Sequence, residues 1–220
     1  MIHILYCFMQ NELPFGLQDG TVAEGGGARR AWRAREERKV CHMRTFIALE
    51  LPEAFRHEVA GLSRCLRDGV KGRFVPPENY HLTVAFLGDV DEHDVRLAMD
   101  AMDEACAQVE AVPVECAGLG KFGRSHDATL WLGLREADEL MKLTEAVRMG
   151  LGERGVPFDA KAFKPHITLA RRASLPKGSF ADLPFPAPAH TEAVTLFKSE
   201  LNAQGATYTP LFSCALPRLR

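Results

Sequence analysis

No C-x-x-C pair, no regular cysteine spacing and no excess of one charge sign occur in this 220-residue chain. Its six cysteines, Cys7, Cys41, Cys65, Cys106, Cys116 and Cys214, are scattered, which excludes a zinc ribbon and a disulfide framework and points to a reducing compartment, the cytoplasm. With 27 basic and 29 acidic residues the formal net charge is −2, so the chain lacks the electrostatic footprint of a protein that grips nucleic acid over its whole surface. Any such ligand has to be met at a local site. No apolar run approaches the roughly 20 residues that a membrane helix needs. The apolar start Ile2-His3-Ile4-Leu5-Tyr6-Cys7-Phe8-Met9 has no Lys or Arg before it and is too short for a secretory signal. H-E-x-x-H, clustered Asp pairs and Cys/His ligand spacings are also missing, so the sequence calls for no metal and no cofactor.

What is present is ordinary globular usage, 46% apolar and 25% charged residues, enough to bury a substantial core. Residues 10–42 turn Gly-rich at Gly25-Gly26-Gly27 and then charged from Arg29 to Lys39, with little sustained periodicity. Residues 1–42 read as an N-terminal extension outside the fold, with Met43 as the natural translation start, because the strand-like run Arg44 to Leu51 begins directly after it. Residues 43–220 read as one bilobal domain, monomeric and with no obligate protein partner.

From Met43 the chain reads twice as strand, helix, loop, strand. In the first copy, Thr45 to Leu51 is the strand, and Pro52 and Glu53 open a helix with Phe55, Val59, Leu62 and Leu66 on its apolar face. A loop then leads to the strand His81 to Leu87. In the second copy, Ala128 to Leu134 is the strand and Asp138 is the expected cap of a helix presenting Leu140, Leu143, Val147 and Leu151. A loop leads to His166-Ile167-Thr168-Leu169-Ala170. Ile47 lies 34 residues before His81, and Leu132 lies 34 before His166. Between the copies Asp91 to Val109 is a further helix with Asp91 as N-cap; short strands follow around Ala193 to Phe197 and Thr209 to Ala215. The expected fold is α+β: two pseudo-symmetric lobes, each an antiparallel sheet with helices outside, and a central cleft between the sheets.

Successive strand side chains alternate between faces, so in each motif the His and the Thr two residues on project together, with Ala85 or Ala170 next along that face. Eight His and ten Thr predict about 0.4 His-x-Thr triplets by chance, a reminder that short motifs produce false positives. Two occur, at matching places in a repeat. A single such triplet is more often a hydrogen-bonded structural histidine beside a β-favouring Thr; the pairing shifts the balance to chemistry. Phosphodiester cleavage by in-line displacement needs a base on one side of phosphorus and an acid on the other. Two imidazoles can divide these roles near neutral pH, and the hydroxyls of Thr83 and Thr168 can donate to non-bridging oxygens. Residue types alone do not say which histidine is the acid.

HLTVAFLG at residues 81–88, KPHITLAR at 164–171 and MRTFIALELP at 43–52 together resemble the RNA 2′,3′-cyclic phosphodiesterase family, formerly called 2′-5′ RNA ligases, within the 2H phosphoesterases. Leu196-Phe197-Lys198-Ser199-Glu200-Leu201, followed by Gly205 and Tyr208, is similar to the family's C-terminal pattern. The resemblance runs from Met43 to the C-terminus and omits residues 1–42. It implies hydrolysis of a terminal 2′,3′-cyclic phosphate to a 2′-phosphate, with His81 as proton donor, His166 as proton acceptor, and RNA ends, tRNA fragments among them, as the partner.

Further substrate contacts are expected from Arg171, Lys164, Arg124, Phe46 and Tyr80. Strict alternation puts Arg171, five residues after His166, on the opposite face unless the strand twists or ends there. Phe46 and Tyr80 are candidates to stack a terminal base, against core packing as the competing reading. Other reactions at such a site are reversible 2′-5′ ligation and hydrolysis of 2′-5′ oligonucleotides or of a nucleotide-derived cyclic phosphate. A non-catalytic RNA-end binding module would carry a damaged motif, and an ordinary α+β domain would carry the triplets by coincidence. Here both His and both Thr are intact.

Overall fold

The structure, a computed structural model, describes residues 42–176, 178, 180, 182–203 and 205–217. The extension read for residues 1–42, apart from its last residue, lies outside the described residues. Met43–Glu50 forms β1, and Pro52, with its fixed φ, precedes helix α1 (Glu53–Leu66). Strand β2 (Lys71–Phe74) and a 3-10 turn (Pro77–Asn79) lead into β3 (His81–Val90). Helix α2 (Glu92–Cys106) is capped by Asp91, whose Oδ1 accepts from the backbone of His93 and Asp94 at 2.8 and 2.9 Å. Strands β4 (Val112–Val114), β5 (Cys116–Arg124) and β6 (Asp127–Leu134) precede helix α3 (Asp138–Glu153) and β7 (His166–Ser174). The chain closes with β8 (Ala189–Thr191), β9 (Ala193–Asn202) and β10 (Gly205–Ala215).

These strands make two four-stranded antiparallel sheets, ordered β10-β9-β1-β3 and β2-β7-β6-β5, and a small β4-β8 ribbon. Repeat-equivalent pairs β1-β3 and β6-β7 are both antiparallel neighbours, but β3 ends its sheet whereas β7 is flanked by β2. The halves are interleaved, however, because β2 follows the first-half helix yet pairs with β7. The apolar helix faces predicted from periodicity are buried: Phe55, Val59, Leu62 and Leu66 on α1, and Leu140, Leu143, Val147 and Leu151 on α3. Asp138 does not cap α3; it is the first helical residue, Ala137 sits at the N-cap without a side-chain bond, and Asp138 acts only as first-turn negative charge. The C-terminal strands run longer than their apolar cores, since β9 and β10 continue into a polar hairpin at Asn202 and Gly205. Among the described residues no helix is long and apolar enough to cross a membrane.

Candidate active site

The two motif strands share a defect that decides what their faces carry. In β3 the pairing with β1 runs Ala48 to Thr83 and then Ile47 to Ala85, leaving Val84 without an opposite residue. In β7 the pairing with β6 runs Trp131 to Thr168 and then Leu130 to Ala170, leaving Leu169 unopposed. Each motif thus contains a β-bulge at the residue after its Thr, and an extra residue inverts the alternation beyond it. His and Thr keep one face, as expected, but Ala85 and Ala170 turn into the core, 1% and 0% exposed. Phe86 and Arg171 take their places beside Thr83 and Thr168. That corrects the expectation for the alanines and gives the physical reason why Arg171 stands on the face of His166. Each bulge carbonyl is met from the other half: Arg148 Nε donates to Val84 O at 3.1 Å, and Val75 N donates to Leu169 O at 2.8 Å.

Each catalytic candidate is held in the same way by its own chain. His81 Nδ1 lies 2.8 Å from Asn79 O, and His166 Nδ1 lies 2.7 Å from Lys164 O. A carbonyl can only accept, so each Nδ1 carries the proton and each Nε2 is left for the cleft. Aromatic rings fix the planes. Phe46 and Tyr208 contact His81 at centroid distances of 4.8 and 5.3 Å, and Phe122 and Trp131 contact His166 at 5.1 and 5.9 Å. Phe46 and Trp131 are repeat equivalents, each 35 residues before its histidine. Gly120 opposite Trp131 admits the indole, because a Cβ there would fall 2.0 Å from a ring carbon.

Strands β3 and β7 approach each other, and Thr83 shares a cavity with His166. Burial drives the His81 imidazole down to about 4; the Asn79 carbonyl opposes this, while the Arg171 guanidinium and His166 add to it. His166 is lowered as well, by burial first, then by Arg171 and Lys164 against the pull of the Lys164 carbonyl. Arg171 also acts on the Tyr208 phenol, which burial pushes up. The Arg171 guanidinium therefore acts electrostatically on both imidazoles and on the Tyr208 phenol. Among the described residues no group of three or more His, Cys, Asp or Glu side chains is placed to hold a metal ion.

The remaining candidates divide. Lys164 contributes its carbonyl to His166, and its ammonium sits 4.6 Å over the Trp131 ring. Arg124 is exposed at the β5-β6 turn, on the face of Phe122 by strand register. Phe46 is 4% exposed, with His81, Phe197 and Tyr208 against its ring. It is a wall for His81 and has no open face for a base. Tyr80 is likewise 4% exposed and packs in the core, being adjacent to His81 on the opposite strand face. Neither ring is placed to stack a base. Phe122, Trp131 and Asn79 are site residues that the sequence pattern does not single out, and Tyr208 enters there only as part of a terminal pattern. The repeat offset could have located Trp131; Asn79 acts through its carbonyl and through Nδ2, which donates to Ala206 O at 2.8 Å, neither of which a residue pattern reveals.

Two imidazoles held alike through Nδ1, two hydroxyls and the Arg171 guanidinium thus lie on the matching faces of β3 and β7. The chain matches the profile of the 2′-5′ RNA ligase superfamily over residues 51–203 and belongs to that family. It is 32% identical over 181 residues to a Thermotoga maritima protein named RNA 2′,3′-cyclic phosphodiesterase, covering 78% of this chain and 95% of the relative. A Thermus thermophilus protein of the same name is 34% identical over 176 residues, covering 77% and 88%. The crystal structure of E. coli LigT without ligand superposes with a TM-score of 0.66 at 26% identity, covering 80% of this chain and 98% of LigT.

Proposed function

We propose that this protein hydrolyses RNA terminal 2′,3′-cyclic phosphate to a 2′-phosphomonoester, with His81 as general acid and His166 as general base. The observation that carries this reading is the matched pair of Nδ1-to-carbonyl bonds, which leaves two Nε2 atoms as the proton-handling groups of one cleft. His166 Nε2 takes a proton from water as its oxygen attacks phosphorus; the bond from phosphorus to O3′ breaks, and His81 Nε2–H delivers its proton to O3′. The hydroxyls of Thr83 and Thr168 and the Arg171 guanidinium hold the non-bridging oxygens, where charge builds. Afterwards the two imidazoles return to their starting states by proton exchange with solvent.

His81 needs a proton before it can act, and in the free protein it is neutral at pH 7. Substrate supplies the remedy. Burial is the main cause of the lowering and Arg171 adds to it; a phosphodiester anion lodged against Arg171 offsets that added part, so binding raises the proton affinity of His81. The relatives named RNA 2′,3′-cyclic phosphodiesterase support hydrolysis over ligation. Incubation with a short RNA ending in 2′,3′-cyclic phosphate, followed by identification of the product ends, tests the reading. A 2′-phosphate beside a free 3′-hydroxyl is expected; a 3′-phosphate or a joined 2′-5′ product overturns it.

A further inference from the structure

Among the depressions near the two motifs, three differ in charge. The one lined by His81 also holds Glu50 and Glu78 beside Arg56. The one lined by Thr83 and His166 mixes Arg148, Lys161 and Lys164 with Glu136 and Asp159. The third, a groove of about 590 Å³, holds Arg73, Arg171 and Arg172 and no carboxylate, and its size suits a nucleotide-sized ligand. It adjoins the His81 pocket, since Asn79, Ala206 and Tyr208 line both.

The arginines of this groove are arranged at a cost. Arg73 on the edge strand β2 is the register partner of Arg171 on β7, so the two guanidinium groups rise from directly opposed positions on the face that carries His166 and Thr168. Like charges placed directly opposite across a ladder destabilise it. Among the described residues no ion pair relieves them. Arg172 adds a third cation from a second bulge, at φ 49°, in the left-handed region that a non-glycine residue enters only under local constraint. Apolar surface lies alongside: Phe74 lines the groove, and Leu201 at the β9-β10 hairpin is 76% exposed. A row of cations along a groove suits the phosphates of a single-stranded polynucleotide.

We propose that this groove is a second phosphate subsite, in which Arg73 and Arg172 bind the phosphodiester 5′ to the terminal cyclic nucleotide and make the enzyme prefer an RNA chain over a free cyclic mononucleotide. The proposal rests on the hydrolytic reading above. Arg171 lines the groove and also acts on both imidazoles, so a phosphate bound beside Arg73 would offset the repulsion between the opposed guanidinium groups. Arg73 and Arg172 touch no reacting atom and act on chain length alone.

The test compares a 2′,3′-cyclic mononucleotide with a trinucleotide ending in 2′,3′-cyclic phosphate, for the wild type, Arg73→Gln and Arg172→Asn, the last because Asn tolerates positive φ. Each variant is expected to lose about tenfold in kcat/KM on the trinucleotide, the scale of one charged hydrogen bond, and less than about twofold on the mononucleotide. The slope of log kcat/KM against log salt should flatten by about 0.7 for each arginine–phosphate pair removed. Equal losses on both substrates, or no loss on the trinucleotide, overturn the subsite. Binding of the same trinucleotide bearing a 2′-phosphate, followed by fluorescence anisotropy, gives a readout independent of turnover. If the wild type cleaves neither substrate the hydrolytic reading falls, whereas undiminished trinucleotide binding by both variants removes the groove whatever the turnover.

Discussion

Replacing Arg171 by Gln removes a cation that acts on both imidazoles, and its effect on His81 can be worked out in advance. His81 stands at about 4 in the folded chain against 6.5 for a free imidazole, a difference worth about 3 kcal/mol in favour of the neutral ring at about 1.4 kcal/mol per unit. Burial is the largest cause, with Arg171 and His166 behind it, so Arg171→Gln should raise His81 and still leave it below 6.5. The sign for stability follows from linkage. Between pH 6.5 and 4 the unfolded chain binds the proton that folded His81 refuses, so stability rises with pH across that window and is lost as pH falls through it. Urea unfolding of the wild type should therefore lose up to about 3 kcal/mol between pH 6.5 and 4 relative to His81→Gln, and Arg171→Gln should lose less than the wild type. Imidazole resonances followed by NMR report the titration directly, with a bound 2′-phosphomononucleotide expected to move His81 upward. For the same reason kcat, which reports the complex, should peak at higher pH than kcat/KM, which reports the free enzyme. A free-protein His81 titrating at 6.5 or above, or a downward move on removal of Arg171, would refute the electrostatic account of the site.

Four further outcomes are expected. Gly120→Ala drives a Cβ into the Trp131 ring that backs His166; it should cost about 1–3 kcal/mol of stability and lower kcat. Gly152→Ala, on the open side of α3, should instead gain up to about 1 kcal/mol, both read from urea unfolding. Asn79→Ala keeps the carbonyl that orients His81 but cuts the bond to Ala206 O, so turnover should fall severalfold with the pH profile shape retained. EDTA should leave turnover within about twofold, because the scheme draws both proton transfers from imidazoles; abolition by EDTA and recovery with a divalent ion would contradict it.

Much of the site is legible in the sequence because it is written twice. The interval of 34 residues from Ile47 to His81 and from Leu132 to His166 places two like triplets on like strands, and helical periodicity locates the buried faces of α1 and α3. The features that sequence does not disclose have a common cause, since they depend on the count of residues across a ladder. Nothing in HLTVA or HITLA says that Val84 and Leu169 lie unopposed, yet this single fact exchanges Ala85 and Ala170 for Phe86 and Arg171 on the cleft face. Strand exchange is equally silent, for Lys71–Phe74 carries no mark that its partner is the second-half strand. The Asp138 cap fails for a local reason, the helix beginning one residue earlier than a side-chain cap there requires. Tyr80 fails by parity, standing next to a cleft residue and so facing the core.

The division of labour between the histidines is tested most directly by changing the leaving group. A short RNA ending in a 2′,3′-cyclic phosphate with sulfur in place of the bridging 3′ oxygen needs no proton as the bond to phosphorus breaks. On the oxygen substrate, His81→Ala and His166→Ala should each lose on the order of 10²- to 10⁴-fold in kcat. On the sulfur substrate His81→Ala is predicted to recover most of its loss, while His166→Ala, which lacks the group that activates water, stays slow. Recovery of His166→Ala instead, or an unchanged deficit in both variants, would contradict His81 as acid and His166 as base.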